Sequence, residues 1–197
     1  MLLPRYALLT TVAFCTLVGC TGTVPTKSPR ASQCPVVPPV VVVVRHAEKA
    51  NDDSDSALSE RGRARALRLA SLLKPMAASR IFATEAKRTR ETVAPLAEAL
   101  GARVEVRPAK DAEGLARELL ALPSGTVAVV AHHSNTVPKI THVLGADVPR
   151  LEGGNLAHSA FGRVFVLVLG CGERKSTLIE LDTDTPVEPD VKPNEMR

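Results

Sequence analysis

Aromatic side chains are scarce: the 197 residues contain no Trp, one Tyr and four Phe. Stacking platforms for single-stranded nucleic acid need more of them. The 25 basic residues are interleaved with 21 acidic ones, for a formal charge of +4. No basic stripe results, and no nucleic-acid partner is expected. No two of the four cysteines have C-x-x-C spacing, which argues against a zinc or thioredoxin-like site. No internal repeat is visible, and the apolar run Tyr6 to Val18 is too short to span a bilayer comfortably. What remains is ordinary globular material, 45% apolar and 23% charged, long enough for one domain with a sizeable core.

The N-terminus has the layout of a processing segment. Arg5 is the only charged side chain ahead of the apolar run, which ends in Leu17-Val18-Gly19-Cys20. That end resembles a bacterial lipobox, which implies a signal peptide over 1–19 and an acylated Cys20. An ordinary secretory signal or a short N-terminal anchor are the plainer readings. Several acyl chains would give stable anchoring, so the membrane is an expected partner through this lipid. Thr21 is not the aspartate associated with inner-membrane retention. In a Gram-negative host this implies an outer-membrane anchor facing the periplasm. Five prolines between Thr21 and Pro39 mark 20–38 as an extended tether. Three prolines and four acids against two bases mark 183–197 as an irregular tail. The folded domain is then 39–182. With Cys20 acylated, Cys34 and Cys171 are left as a pair.

Val40 to Val44 is a five-valine run, as expected for a strand buried on both faces of a parallel sheet. Ser59 can cap a helix to about Leu73, with Gly62, Ala66, Leu69, Ala70 and Leu73 inward and Arg63, Arg65 and Arg68 solvated. Arg80 to Ala83 reads as a strand, and Thr84 as the cap of a helix to Leu100 closed by Gly101. Arg103 to Val106 alternates as a strand, Asp111 to Leu122 reads as a helix, and Thr126 to Ala131 as a buried strand. Ser134 or Asn135 can cap the next helix, with Pro138 in its first turn and Gly145 at its end. Strand, turn and strand follow from Arg163 to Leu181. This alternation predicts a three-layer α/β/α sandwich with a mainly parallel sheet. Ligands bind such sheets beyond the carboxyl ends of the strands.

Three motifs fall at those ends. Arg45-His46-Ala47-Glu48 follows the first strand and resembles the R-H-G/A-E segment of the histidine phosphatase superfamily, the phosphoglycerate mutase-like proteins. Thr84 to Thr92 resembles the family's S/T-x-x-x-R-x-x-Q-T block and places Arg88 at its second phosphate-binding arginine. Leu58-Ser59-Glu60-Arg61-Gly62 resembles the family's helix start. His133-Ser134-Asn135-Thr136-Val137-Pro138 resembles the H-S-N-T-x-P segment, which makes His133 the second active-site histidine. His132 occupies the family's usual glycine position, where a side chain either crowds the site or contacts substrate. The resemblance covers nearly all of the folded domain and implies one antiparallel strand, Arg163 to Leu169, beside the five-valine strand. That strand would bring Cys171 near Cys34, which implies a disulfide.

The chemistry needs these residue types. A phosphomonoester carries about −1.5 to −2 charges near neutral pH. Arg45 and Arg88 can bind it with forked, charge-assisted bonds and disfavour protonation of His46. A neutral His46 can attack phosphorus and form a phosphohistidine. His133 and N–H groups of the following helix would bind the transferring oxygens, with His132 and Glu48 as further substrate contacts. No metal or cofactor is required. No general acid is singled out: Glu48, Asp52, Asp53 and Asp55 read equally as loop polarity. Only 44 residues separate Arg88 from His133, which leaves little room for the insertions that mutases carry. His142 and His158 read as surface residues, and Lys87 and Arg90 as solvated charges. The function implied is hydrolysis of a small phosphorylated substrate. The alternatives are a phosphohistidine-protein phosphatase and a non-catalytic phospho-ligand-binding lipoprotein of the envelope.

Overall fold

The computed structural model describes Cys34 and residues 37–184. The expected signal segment, Cys20, most of the tether and the tail beyond 184 lie outside the described residues. In chain order the elements are β1 (Val40–Arg45), α1 (Glu60–Leu73), a 3-10 turn (Lys74–Met76), β2 (Arg80–Thr84), α2 (Lys87–Leu100) and β3 (Val104–Arg107). There follow α3 (Ala112–Leu120), β4 (Val127–His132), α4 (Val137–Val143), the short β5 (Leu151–Glu152) and β6 (Asn155–Leu156), β7 (Arg163–Val168) and β8 (Thr177–Asp182).

Six strands form one sheet in the order β3-β2-β4-β1-β7-β8. The first four run parallel, and β7 runs against both β1 and β8. The valine run explains why β1 lies near the middle. Val41 and Val43 pack with α3 and α4 residues such as Leu115, Leu119 and Ile140. Val42 and Val44 point the other way, toward Leu69 and Leu73 of α1 and Val93 and Leu96 of α2. A strand covered on both faces cannot alternate apolar with polar, so the run is continuous. The layers are α1/α2, sheet and α3/α4, as the sequence predicts.

Local chemistry sets the helix ends. The Ser59 hydroxyl accepts the Gly62 N–H and starts α1. Gly101 closes α2 in the left-handed conformation, φ 61°. Gly62 has a separate reason: a Cβ there would lie 2.3 Å from the Glu48 carbonyl oxygen. Only a glycine lets α1 approach the segment after β1 so closely.

Three expectations change. Thr84 does not cap α2; it extends β2 by pairing with Arg107, and Ala86 takes the cap position with no side-chain bond. The missing cap is supplied across the fold by Asp55, whose Oδ1 accepts the Lys87 N–H at 2.8 Å. Neither Ser134 nor Asn135 caps α4. Thr136 holds that position, and Pro138 stands in the first turn as expected. Arg65 is not solvated but 3% exposed, because Glu48 and Asp184 both pair with it.

At the amino end of β1, Cys34 is disulfide-bonded to Cys171 beyond β7, with Cα atoms 5.5 Å apart. At the opposite pole the carboxyl ends of β1, β2 and β4 lie side by side, and Arg45 is in register with His132.

Candidate active site

The residues at those three strand ends touch one another. Arg45 and His46 are buried, 7% and 6% exposed, where β1 ends. The His46 N–H bonds the His132 carbonyl at 2.9 Å, which fixes the turn out of β1 against β4. Arg88 stands in the first turn of α2, where side chains lean back toward the helix start and the sheet edge. Its Nη1 donates to the Ser54 carbonyl at 2.8 Å, and its Nη2 lies 3.4 Å from His133 Nδ1. The His46 and His133 rings meet edge to face with centroids 5.5 Å apart.

Hydrogen bonding assigns the tautomers. His46 Nδ1 lies 2.8 Å from the Ala47 carbonyl oxygen, which can only accept. Nδ1 therefore carries the proton, and Nε2 keeps a free lone pair. Arg88 can only donate, so His133 Nδ1 accepts and its Nε2–H donates to the Thr84 hydroxyl at 3.2 Å. Thr84 in turn bonds Thr89 at 2.8 Å, and Thr89 donates to the Ala86 carbonyl at 2.8 Å. This chain of hydroxyls explains why threonines stand at positions 84 and 89.

Electrostatics keep both histidines neutral. Burial is the main cause that lowers His46 to about 3, with Arg45, Arg88 and His133 adding to it against the Ala47 bond. The arginines alone were expected to do this, but desolvation comes first. Burial followed by Arg88 lowers His133 to about 4. Among the described residues, the buried side-chain nitrogens and oxygens without a partner are Arg45 Nε, Arg88 Nε and His132 Nε2. Unmet hydrogen-bonding capacity is therefore concentrated in this cluster.

His132 and Glu48 are held differently from the other expected residues. His132 is 1% exposed, and its Nδ1 bonds the Thr136 hydroxyl. Thr136 donates in turn to the His133 carbonyl at 3.1 Å, so His132 braces the turn that carries His133. Glu48 is committed elsewhere: Arg65 holds it with two bonds of 2.9 and 2.7 Å, and Arg61 Nε lies 3.0 Å away. Burial would raise its pKa, but the bonds from Arg65, its own backbone N–H and the Arg65 and Arg61 charges outweigh burial and lower it. Such a carboxylate is a poor proton donor. Asp55 is spent on the α2 N-terminus, and Asp53 accepts from Asn51 at 2.8 Å. The amides at the start of α4 are also occupied, because the Thr136 and Val137 N–H groups both bond the His133 carbonyl.

Other contributors were not foreseen. Arg45 Nη1 donates to the carbonyls of Ala157 and His158 at 3.0 and 2.9 Å. Its guanidinium lies over the Phe161 ring, 4.0 Å from the centroid. Backbone carbonyls have no sequence signature, but a phenylalanine in so aromatic-poor a chain was a signal that could have been used.

Known proteins resemble this chain in part of its sequence and in its fold. The histidine phosphatase superfamily (branch 1) matches residues 41–111. That stretch contains Arg45, His46 and Arg88 and ends before His133. No curated protein matches the chain. Among solved structures, a protein histidine phosphatase SixA complexed with tungstate superposes with TM-score 0.59 at 18% identity, covering 73% of this chain and 96% of the other. A native mycobacterial glucosyl-3-phosphoglycerate phosphatase gives TM-score 0.56 at 16% identity, covering 73% and 97%. A Nakamurella multipartitia protein described as a candidate SixA phosphohistidine phosphatase gives 0.52 at 24%, covering 68% and 86%. At these identities the structural likeness concerns the fold, an α/β sandwich with a mainly parallel sheet.

Proposed function

We propose that this chain hydrolyses phosphomonoesters without a metal, through a phosphohistidine on His46. The observation that carries the reading is a neutral His46 whose Nδ1–H is spent on Ala47, leaving its Nε2 lone pair beside two arginines and a second histidine. A phosphoryl dianion would take charge-assisted bonds from Arg45 and Arg88. His46 Nε2 attacks phosphorus in line as the ester oxygen leaves. Incoming negative charge raises both histidines. His133 then takes a proton at Nδ1, in place of the contact from Arg88, and donates it to a transferring oxygen. Water attacks the phosphohistidine in the second step and returns His46 to its neutral form.

A second reading has its own support. Of the carboxylates that follow His46, Glu48, Asp53 and Asp55 are hydrogen-bonded to other partners, and Asp52 is fully exposed beside Lys49. A leaving group that needs little protonation suits such a site, and a phosphorylated histidine side chain is one. The tungstate-bound structural neighbour is described as a protein histidine phosphatase. The cellular setting is proposed from sequence alone: cleavage before Cys20, acylation there, and a periplasmic domain on an outer-membrane anchor.

Rapid quench with a labelled phosphomonoester and with a phosphohistidine peptide, followed by alkaline peptide mapping, tests both readings. Label is expected on His46, its loss in His46→Ala, and no effect of a chelator. Label elsewhere, or full activity in His46→Ala, overturns the mechanism. The ratio of the two turnover rates decides the substrate class. Equal membrane association and equal mass of wild type and Cys20→Ser would refute the anchor.

A further inference from the structure

Phe82 and Phe165 are fully buried in the core, whereas Phe161 is half-buried beside the two residues at the end of β1. The Arg45 guanidinium carbon lies 4.0 Å from the Phe161 centroid, and the His46 ring lies 6.2 Å from it. The same loop takes Arg45 Nη1 through the carbonyls of Ala157 and His158. One nitrogen and one π-face of the guanidinium are therefore held by residues 157–161, while Nε has no partner.

The loop is itself tied down at both ends. Before it, the Leu156 N–H bonds the Ser134 carbonyl at 3.0 Å. After it, the Gly162 carbonyl accepts from the Thr183 N–H at 2.9 Å and the Thr183 hydroxyl at 3.1 Å. Thr183 also touches Arg65, which holds Glu48 two residues from His46. The ring under Arg45 is thus set in a frame that closes back on the nucleophile's own segment.

We propose that Phe161 is a positioning residue, whose ring holds the Arg45 guanidinium so that the nitrogens the loop does not use are directed to the phosphoryl group. The inference rests on the phosphate reading given above. A free arginine side chain loses much rotamer freedom when a ligand fixes it, and one fixed in advance loses less. The face of an aromatic ring attracts the cation through its quadrupole, and an aliphatic side chain of similar bulk does not. Phe161→Leu therefore keeps the apolar wall beside His46 but leaves Arg45 held by the Ala157 and His158 carbonyls at one nitrogen only, whereas Phe161→Tyr keeps the ring contact as well.

Two measurements on the full chain test this. The first is the Arg45 Nε–H signal in nitrogen-edited NMR, assigned by its loss in Arg45→Lys. It is expected to be sharp and slow to exchange in wild type and Phe161→Tyr, and broadened in Phe161→Leu. The second is orthovanadate binding, expected to weaken about tenfold in Phe161→Leu and to recover to within about threefold of wild type in Phe161→Tyr. Phe161→Leu with a wild-type signal and wild-type vanadate affinity would overturn the proposal. So would Phe161→Tyr falling as far as Phe161→Leu in both measurements. A wild-type chain that binds no vanadate overturns the phosphate reading alone, and the N–H signals then decide the role of Phe161 by themselves.

Discussion

Replacing Arg65 with methionine should destabilise the fold by about 3 kcal/mol, the lower part of the range for breaking a buried ion pair from one side. The partners set the size. Glu48, 14% exposed at its side chain, would lose two hydrogen bonds and keep its own backbone N–H and Arg61, which is 74% exposed. That remaining pair is well screened and mobile, and it replaces little. Asp184 is 42% exposed, so water can take over its share. Methionine keeps most of the apolar stem, and the cavity contribution stays small. For a domain of this size the change corresponds to a Tm lower by about 6–12 °C. Acid should close the gap. The Glu48 pKa in the fold lies below its ordinary 4.5. The stabilisation is therefore complete above that value and is lost as pH falls through the lowered one. Chemical denaturation of wild type, Arg65→Met, Glu48→Gln and the double variant, at neutral and acid pH, measures all of this. The double variant should fall short of additivity by at least about 1 kcal/mol. Additive losses, or Arg65→Met within about 0.5 kcal/mol of wild type at pH 7, would refute the reasoning.

The adjacent histidines should separate: His133→Ala loses about 3 kcal/mol of transition-state stabilisation, while His132→Ala keeps turnover and loses about 2–3 kcal/mol of fold stability. Kinetics paired with denaturation reads both, and an inactive His132→Ala beside an active His133→Ala reverses the assignment. NMR titration of His46 should find its midpoint near 3, so the imidazole is neutral above that pH and nucleophilic capacity falls only below it; a midpoint near 6.5 contradicts the burial argument. Cys34→Ser should cost about 4–5 kcal/mol on chain-entropy grounds, given the 137-residue separation of the bridge; alkylation of both Cys34 and Cys171 in unreduced wild type would show that the bond does not form.

Much of the fold was legible because its signals are local. The valine run declared a strand covered on both faces, and Ser59, Gly101 and Pro138 mark helix ends by rules that need only neighbouring residues. Two of the misreadings share one cause, a partner far away in sequence. Arg65 stands three residues after Gly62 and four before Leu69, on the buried stripe of α1, and its charge reads as solvated only because its partner Asp184 lies 119 positions downstream. Thr84 has the chemistry of a cap, but pairing with Arg107 keeps it in the sheet and His133 uses its hydroxyl. The motif residues Arg45, His46, Arg88 and His133 were readable as types at strand ends. Their tautomers, and the Ala157, His158 and Phe161 support under Arg45, depend on loop geometry that periodicity does not encode.

The bridge between Cys34 and Cys171 also decides how the molecule would carry a mechanical load. A pull arriving through the N-terminal segment reaches the domain at Cys34, and the covalent link passes it directly to the end of β7. Tension then bypasses β1 and the turn at its far end, where Arg45 and His46 sit. The strands between the two cysteines would form a closed loop that cannot be drawn out, so stretching could extend only the chain outside it. Reduction would reroute the same force along β1, from its first valine straight to the nucleophile.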